Sequence, residues 1–171
     1  MISRERALWI LKEEGCDDKV IQHCITVSDE AVRLALQNKK AGRDVDVALV
    51  EIGGLLHDLG RAKTHGLDHA VVGVRLAEKH GVEKPVLEII KKHIGAGITP
   101  EEAEFFGLPD DDYIPRTWEE KIVAHADNMV KGCTVITLKK RNKILKENGS
   151  DKEIRKRIKD LAHEVEMNDL K

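Results

Sequence analysis

The chain has 171 residues, 41% hydrophobic and 35% charged, enough to bury roughly 70% of its unfolded surface as one domain without disulfides. A formal net charge of −2 argues against a protein whose main role is to coat nucleic acid. Charges flank the short apolar stretch near the N-terminus, and no apolar run approaches the roughly 20 residues of a membrane span. The three cysteines, Cys16, Cys24 and Cys133, form no C-x-x-C pair and read as reduced, buried thiols of a cytoplasmic protein.

Helix punctuation organises the chain. Ser3 is placed to cap a first helix ending near Gly15, and Asp17 a long second one reaching about Asn38. Asp44 is expected to open a third that runs through LVEIGGLLHDLG to Gly60. A fourth spans roughly Asp68 to His80, and a fifth follows Pro85 to about His93. Capping boxes at Thr99, Thr117 and Ser150 mark three later starts. No β-branched run alternates with polar residues between turn signals, so no strand is expected. The fold class is therefore all-α: a single-domain helical bundle over residues 1–171, with a core at about 20–132 and C-terminal helices at about 133–171 packed on it. The Pro- and Asp-rich stretch Gly107 to Arg116 is the one long loop, either a lid or a plain connection.

Within this frame, some histidines and aspartates stand out. His23 lies on the apolar stripe of the second helix with Val20, Val27 and Ala31, where a hydrogen-bonded core histidine is the ordinary reading. His57-Asp58 ends an apolar helix, with Gly53 and Gly54 one turn earlier. Each glycine costs roughly 1 kcal/mol in helix propensity, which close approach by a helix or ligand would offset. A carboxylate buried there needs a cationic partner. Asp127, in KIVAHADNMV, poses the same problem. Arg61 or Lys63 could pair with either aspartate, but two buried aspartates and two histidines on three helices are better explained together by a divalent metal. His69, with Gly73 one turn on, and His93, followed by Gly95-Ala96-Gly97, are either helix-end residues or further ligands. His65 sits in a turn within reach of a substrate. His80, His125 and His163 read as structural or surface groups.

The ordered set His23, His57-Asp58 and Asp127, in H-x-x-x-V, LLHDLGRAK and IVAHADNMV contexts, resembles the HD-domain superfamily of metal-dependent phosphohydrolases. The resemblance covers roughly residues 20 to 132. It implies that His23, His57, Asp58 and Asp127 hold one divalent ion (Mn, Fe, Co, Ni or Zn). His69 and His93 match the positions that, in some branches, bind a second ion bridged by Asp58. The pattern is most similar to HD proteins that split dinucleoside polyphosphates; no G-Y-P follows the dipeptide, unlike the cyclic di-GMP branch. The implied activity is hydrolysis of a nucleotide-type phosphate ester or anhydride, with His57 and Asp58 at its centre and Arg61 and Lys63 as phosphate clamps. Lys92 and Arg116 are weaker candidates.

Two other classes compete. A metal-loaded nucleotide sensor would need the same ligands without turnover. A nucleic-acid binder would use the excess of Lys and Arg after Lys139, but Ile154, Ile158, Leu161 and Val165 there suit a packed amphipathic helix. Trp9, Trp118, Tyr113, Phe105 and Phe106 are too scattered for a stacking platform. Nothing in the pattern sets an oligomeric state.

Overall fold

The computed structural model describes residues 1–166, and the last five positions of the expected C-terminal segment lie outside them. The helices are α1 Arg4–Glu13, α2 Asp18–Lys40, α3 Val47–Leu56, α4 His69–Lys79, α5 Lys84–Lys92, α6 Pro100–Phe105, α7 Trp118–Asn128, α8 Leu138–Glu147 and α9 Lys152–Glu166. A short 3₁₀ turn, Leu59–Ala62, joins α3 towards α4. The all-α class is borne out, with one small addition. Val130–Lys131 (β1) pairs antiparallel with Thr134–Val135 (β2) around Gly132. Each strand contributes only two residues, too few for a period-2 pattern to register in sequence.

The helix caps follow the polar residues before each apolar stripe. Ser3, Asp17, Thr99 and Thr117 each accept a backbone N–H of the first turn, and Thr99 and Thr117 form complete capping boxes with Glu102 and Glu120. Two expected starts shift. The third helix is capped by Asp46, not Asp44, because Val45 is drawn into the core in extended chain before the helix begins. Ser150 does not cap α9. Its N–H closes the end of α8 on the Leu145 carbonyl, beyond Gly149 at φ +73°, and Asp151 accepts the Glu153 N–H instead.

α3 is the central element, packed against α2, α5, α7 and α1. Its two glycines exist for helix contact. A Cβ on Gly53 would lie 2.5 Å from Ile89 Cδ1, and one on Gly54 would lie 2.8 Å from the Ser28 Cα. One apolar cluster joins α1, α2, α3, α4 and α5; a second joins α2, α3, α7 and α9. Asn38 ties α9 to α2, donating to the carbonyls of Leu34 and Val165.

A buried ion pair locks α5 to α7. Lys92 donates to Glu120 at 3.0 Å and contacts Glu88 at 3.0 Å, while Glu120 also accepts the N–H groups of Arg116 and Thr117. Lys92 and Glu120 are both buried. Lys92→Met is expected to destabilise the protein by about 3 kcal/mol in urea unfolding, because it strands the Glu120 carboxylate.

Cys16 and Cys24 are buried as expected; Cys133 is exposed, next to the hairpin turn. Burial pushes the Cys16 thiol up to about 11 and the Cys24 thiol well above its ordinary value. Thiol titration of the native protein should therefore label Cys133 quickly and the other two only on unfolding.

Candidate metal centre

Consecutive residues of an α-helix point about 100° apart and cannot serve one site. α3 was expected to run to Gly60 but ends at Leu56, and this break solves the problem: Asp58 takes φ −100° and ψ 17°, outside helical geometry. His57 Nε2 and Asp58 Oδ2 then come within 3.8 Å of each other. The following 3₁₀ turn is pressed against α4. A Cβ on Gly60 would fall 1.9 Å from the His69 carbonyl oxygen, and Gly73 faces Gly60 across the same contact.

The six expected ligand residues converge. On one side of Asp58, its Oδ2 is 3.8 Å from both His23 Nε2 and His57 Nε2. Asp127 Oδ1 lies 3.0 Å from His23 Nε2 and 3.5 Å from His57 Nε2. On the other side, Asp58 Oδ1 is 3.2 Å from His69 Nε2 and 3.5 Å from His93 Nε2. The two carboxylate oxygens of Asp58 thus face two different pairs of imidazoles. Asp127 does not point into apolar surroundings as its sequence neighbours suggested; it is partly open and aimed at His23 and His57.

Each of the four rings is held in the same way. Nδ1 of His23 reaches the Gly132 carbonyl, His57 that of Gly54, His69 that of Gly66 and His93 that of Ile90, all at 2.7 Å. A carbonyl only accepts, so each Nδ1 carries the proton and each neutral ring turns an Nε2 lone pair inward. Two consequences follow. His69 Nε2 and His93 Nε2 stand 3.0 Å apart, a contact that requires a proton or a cation between or beside them. His57 Nε2 is buried without a hydrogen-bond partner among the described residues.

The electrostatics favour positive charge at the centre, whether a proton on His57 or a cation beside its neutral ring. Burial disfavours a charged His57, yet the Asp58 and Asp127 carboxylates outweigh it and raise its pKa to about 9. Burial also opposes charge on Asp58 and Asp127, but the surrounding imidazoles hold both carboxyls well below the usual range. At His93 burial wins over the attraction of Asp58 and lowers the pKa. Two anionic carboxylates and four inward imidazole lone pairs make a donor set that fits divalent first-row ions.

The remaining sequence candidates divide. Arg61 is at the site, with Nε 3.2 Å from Asp58 Oδ1 and an Nη held by the His65 carbonyl. Lys63 turns away to the Glu14 carbonyl and carboxylate. Lys92 is spent on Glu120 and Glu88, and Arg116 on Asp112. His80 pairs with Glu14, and His125 is buried against Glu166 rather than lying at the surface. The loop Gly107 to Arg116 is tethered by Lys91–Asp111, by Tyr113 beside Ile98 and by Ile114 against Gly97. It lines neither the cluster nor the cavity beside it.

One residue near the cluster escaped sequence reasoning. Arg141 of α8 is half-buried and donates to the carbonyls of Asp127, Asn128 and Val130, closing the C-terminal end of α7 beneath Asp127. It sits among the four lysines of α8, and no local signal marks it as the basic residue that reaches α7.

The HD domain family model matches residues 20–132, the span that carries every one of these histidines and aspartates. The chain belongs to the HD domain family. It is 53% identical over 128 residues to an uncharacterized protein of Methanocaldococcus jannaschii, covering 75% of each chain. It is 46% identical over 135 residues to a tRNA (cytidine(56)-2′-O)-methyltransferase of Picrophilus torridus, where the match covers 79% of this chain but only 38% of the relative. A ribonuclease Y of Syntrophomonas wolfei is 37% identical over 87 residues, half of this chain and 16% of that one. Among solved structures, the HD domain of the Listeria monocytogenes phosphodiesterase PgpH in complex with cyclic-di-AMP has the same fold. Its TM-score is 0.57 at 17% identity, over 91% of this chain and 92% of that one. Among the described residues no helix is long and apolar enough to cross a membrane.

Proposed function

We propose that this HD-family chain is a metal-dependent phosphohydrolase acting on a nucleotide-type phosphate ester or anhydride. The observation that carries the reading is the placement of Asp58, with one carboxylate oxygen facing His23 and His57 and the other facing His69 and His93. In this reading His23, His57, Asp58 and Asp127 hold one divalent ion, His69 and His93 hold a second, and Asp58 is shared. Divalent ions supply Lewis acidity in such sites, lowering the pKa of a water from about 15.7 to about 7 and offsetting phosphoryl charge.

The chain's own residues do the rest. The four carbonyl-held imidazoles keep their lone pairs directed without rearrangement, and the carboxylates supply the compensating negative charge. Arg61, resting on Asp58, is the side chain placed to meet a phosphoryl oxygen. Lys63, engaged by Glu14, is left out of that role. The solved phosphodiesterase HD domain with cyclic-di-AMP supports a nucleotide as the substrate class.

The test is metal analysis of the purified protein together with chromatographic analysis of the products, phosphate or nucleotide, formed from nucleoside mono-, di- and triphosphates, cyclic nucleotides and dinucleoside polyphosphates. Two ions per chain and turnover of at least one class are expected. His69→Ala and His93→Ala should each bring the stoichiometry to one; unchanged stoichiometry in both would overturn the two-ion arrangement. Metal loading and nucleotide binding with no turnover in the whole panel would point to a sensor instead.

A second reading has its own support. The relatives named as a tRNA methyltransferase and a ribonuclease act on RNA, and α8 exposes Lys139, Lys140, Lys143 and Lys146. Under it the scissile phosphate belongs to an RNA. Salt-sensitive RNA binding, with cleavage of RNA but of no mononucleotide, would select it.

A further inference from the structure

Beside the cluster lies a cavity of about 360 Å³ whose inner wall includes Asp127. Other grooves, such as one of about 420 Å³ along α6, hold none of the cluster residues. Its apolar lining includes Ile94 and Ile98, one and five positions after His93, together with Leu145 of α8 and Ile154 and Ile158 of α9. Gly95, at φ +60°, brings bare backbone to this surface, where an added Cβ would lie 3.8 Å from Ile158 Cδ1. At the rim stand Phe106, 45% exposed, and Leu67, 37% exposed.

The polar residues of the lining are Glu102, Asp127, Asn128, Arg141, Ser150 and Arg157. Arg157 makes a paired contact with Glu102 at 2.7 Å through one Nη, while its Nε is buried with no hydrogen-bond partner among the described residues. A phosphate gains nothing from isoleucine walls. A flat heteroaromatic group does, because it buries both faces and needs only one or two edge contacts. The volume sits near the lower end of small-molecule sites, about 300–1,000 Å³, which suits one base-bearing unit.

We propose that this cavity is a nucleoside subsite. It holds the base-bearing group next to the phosphoryl group, with Phe106 against the base. The proposal rests on reading the cluster as a phosphoryl site. It assigns substrate selection to α8 and α9, not to the loop Gly107 to Arg116.

The test uses ligands that cannot be hydrolysed. Calorimetry of the Mn-saturated protein would compare methylphosphonate, the phosphoryl group alone, with the four nucleoside 5′-phosphonates. At least one nucleoside phosphonate should bind tenfold or more tightly than methylphosphonate. Ile154→Trp, which fills the cavity, and Phe106→Ala, at the exposed rim, should each reduce that ratio at least fivefold. Metal content and methylphosphonate binding should stay within twofold. Equal binding of the two kinds of ligand, no binding by either, or a ratio unchanged in both variants would overturn the subsite. Tight, variant-sensitive nucleoside binding with no turnover of any phosphate ester would leave the subsite standing and remove the hydrolase reading. Turnover without a nucleoside preference would do the reverse.

Discussion

Asp58→Ala is expected to empty the centre and stop the reaction. Asp58 is the one residue that faces all four imidazoles, and its two oxygens lie within 3.2 to 3.8 Å of the four Nε2 atoms. Its loss removes the carboxylate that both pairs of imidazoles face, and half of the carboxylate charge, at once. Lewis-acid stabilisation is worth several kcal/mol, so turnover should fall by about 10³ or more, with metal content below the detection threshold of plasma emission analysis. His57→Ala should produce the same pair of losses, since its Nε2 is buried and aimed at Asp58 and Asp127. Full activity in metal-depleted Asp58→Ala protein would sink the reading. Circular dichroism separates this effect from unfolding, because the helices around Asp58 are held by two apolar clusters that the substitution leaves intact.

Gly60→Ala should be the most damaging single-methyl change in the chain. The added Cβ would sit 1.9 Å from the His69 carbonyl oxygen and 2.8 Å from the Gly73 nitrogen. Both obstacles are main chain, so no rotamer change relieves them. Either the 3₁₀ turn or the start of α4 must move, costing about 3 kcal/mol or more. For a domain of this size that corresponds to a fall of about 10 °C in melting temperature. The displacement also separates His69 from Asp58, so under the proposed two-ion reading the ion that His69 and His93 would hold should be lost before the other. Gly15→Ala is the control. Gly15 has open space around it and only an unfavourable φ of +89°, so a cost of about 1 kcal/mol is expected. Equal melting temperatures for the two variants would contradict the steric account.

Sequence made the cluster legible because its members are unusual for their places. A histidine on an apolar stripe, an aspartate at the end of an apolar helix and paired glycines before it each demand an explanation, and one ion answers all of them. The helices were legible from their caps, since Ser3, Asp17, Thr99 and Thr117 do locally what the pattern promised. What sequence hid was long-range. Val45 decides where α3 starts by joining the core, and the break after Leu56 depends on how the following turn packs on α4. Lys63 follows the dipeptide as closely as a clamp would, yet Glu14, 49 positions earlier, captures it. The same holds for the nearby cavity: Ile154 and Ile158 were read as an ordinary packing stripe. That they help wall a cavity beside Asp127 depends on where α9 crosses the body of the fold.

The carbonyls that orient the four rings carry a practical consequence. Three of them belong to glycines, Gly54, Gly66 and Gly132, and the fourth to Ile90. The scaffolding of the centre is thus written in main chain: a side-chain replacement removes none of these acceptors, and one at Gly54 would instead report its clash with Ser28. Its contribution would surface only when the backbone itself is edited, for instance by replacing the amide that carries the Gly54 or Gly132 carbonyl with an ester. An ester carbonyl accepts more weakly, so metal affinity should decline there with every side chain unchanged.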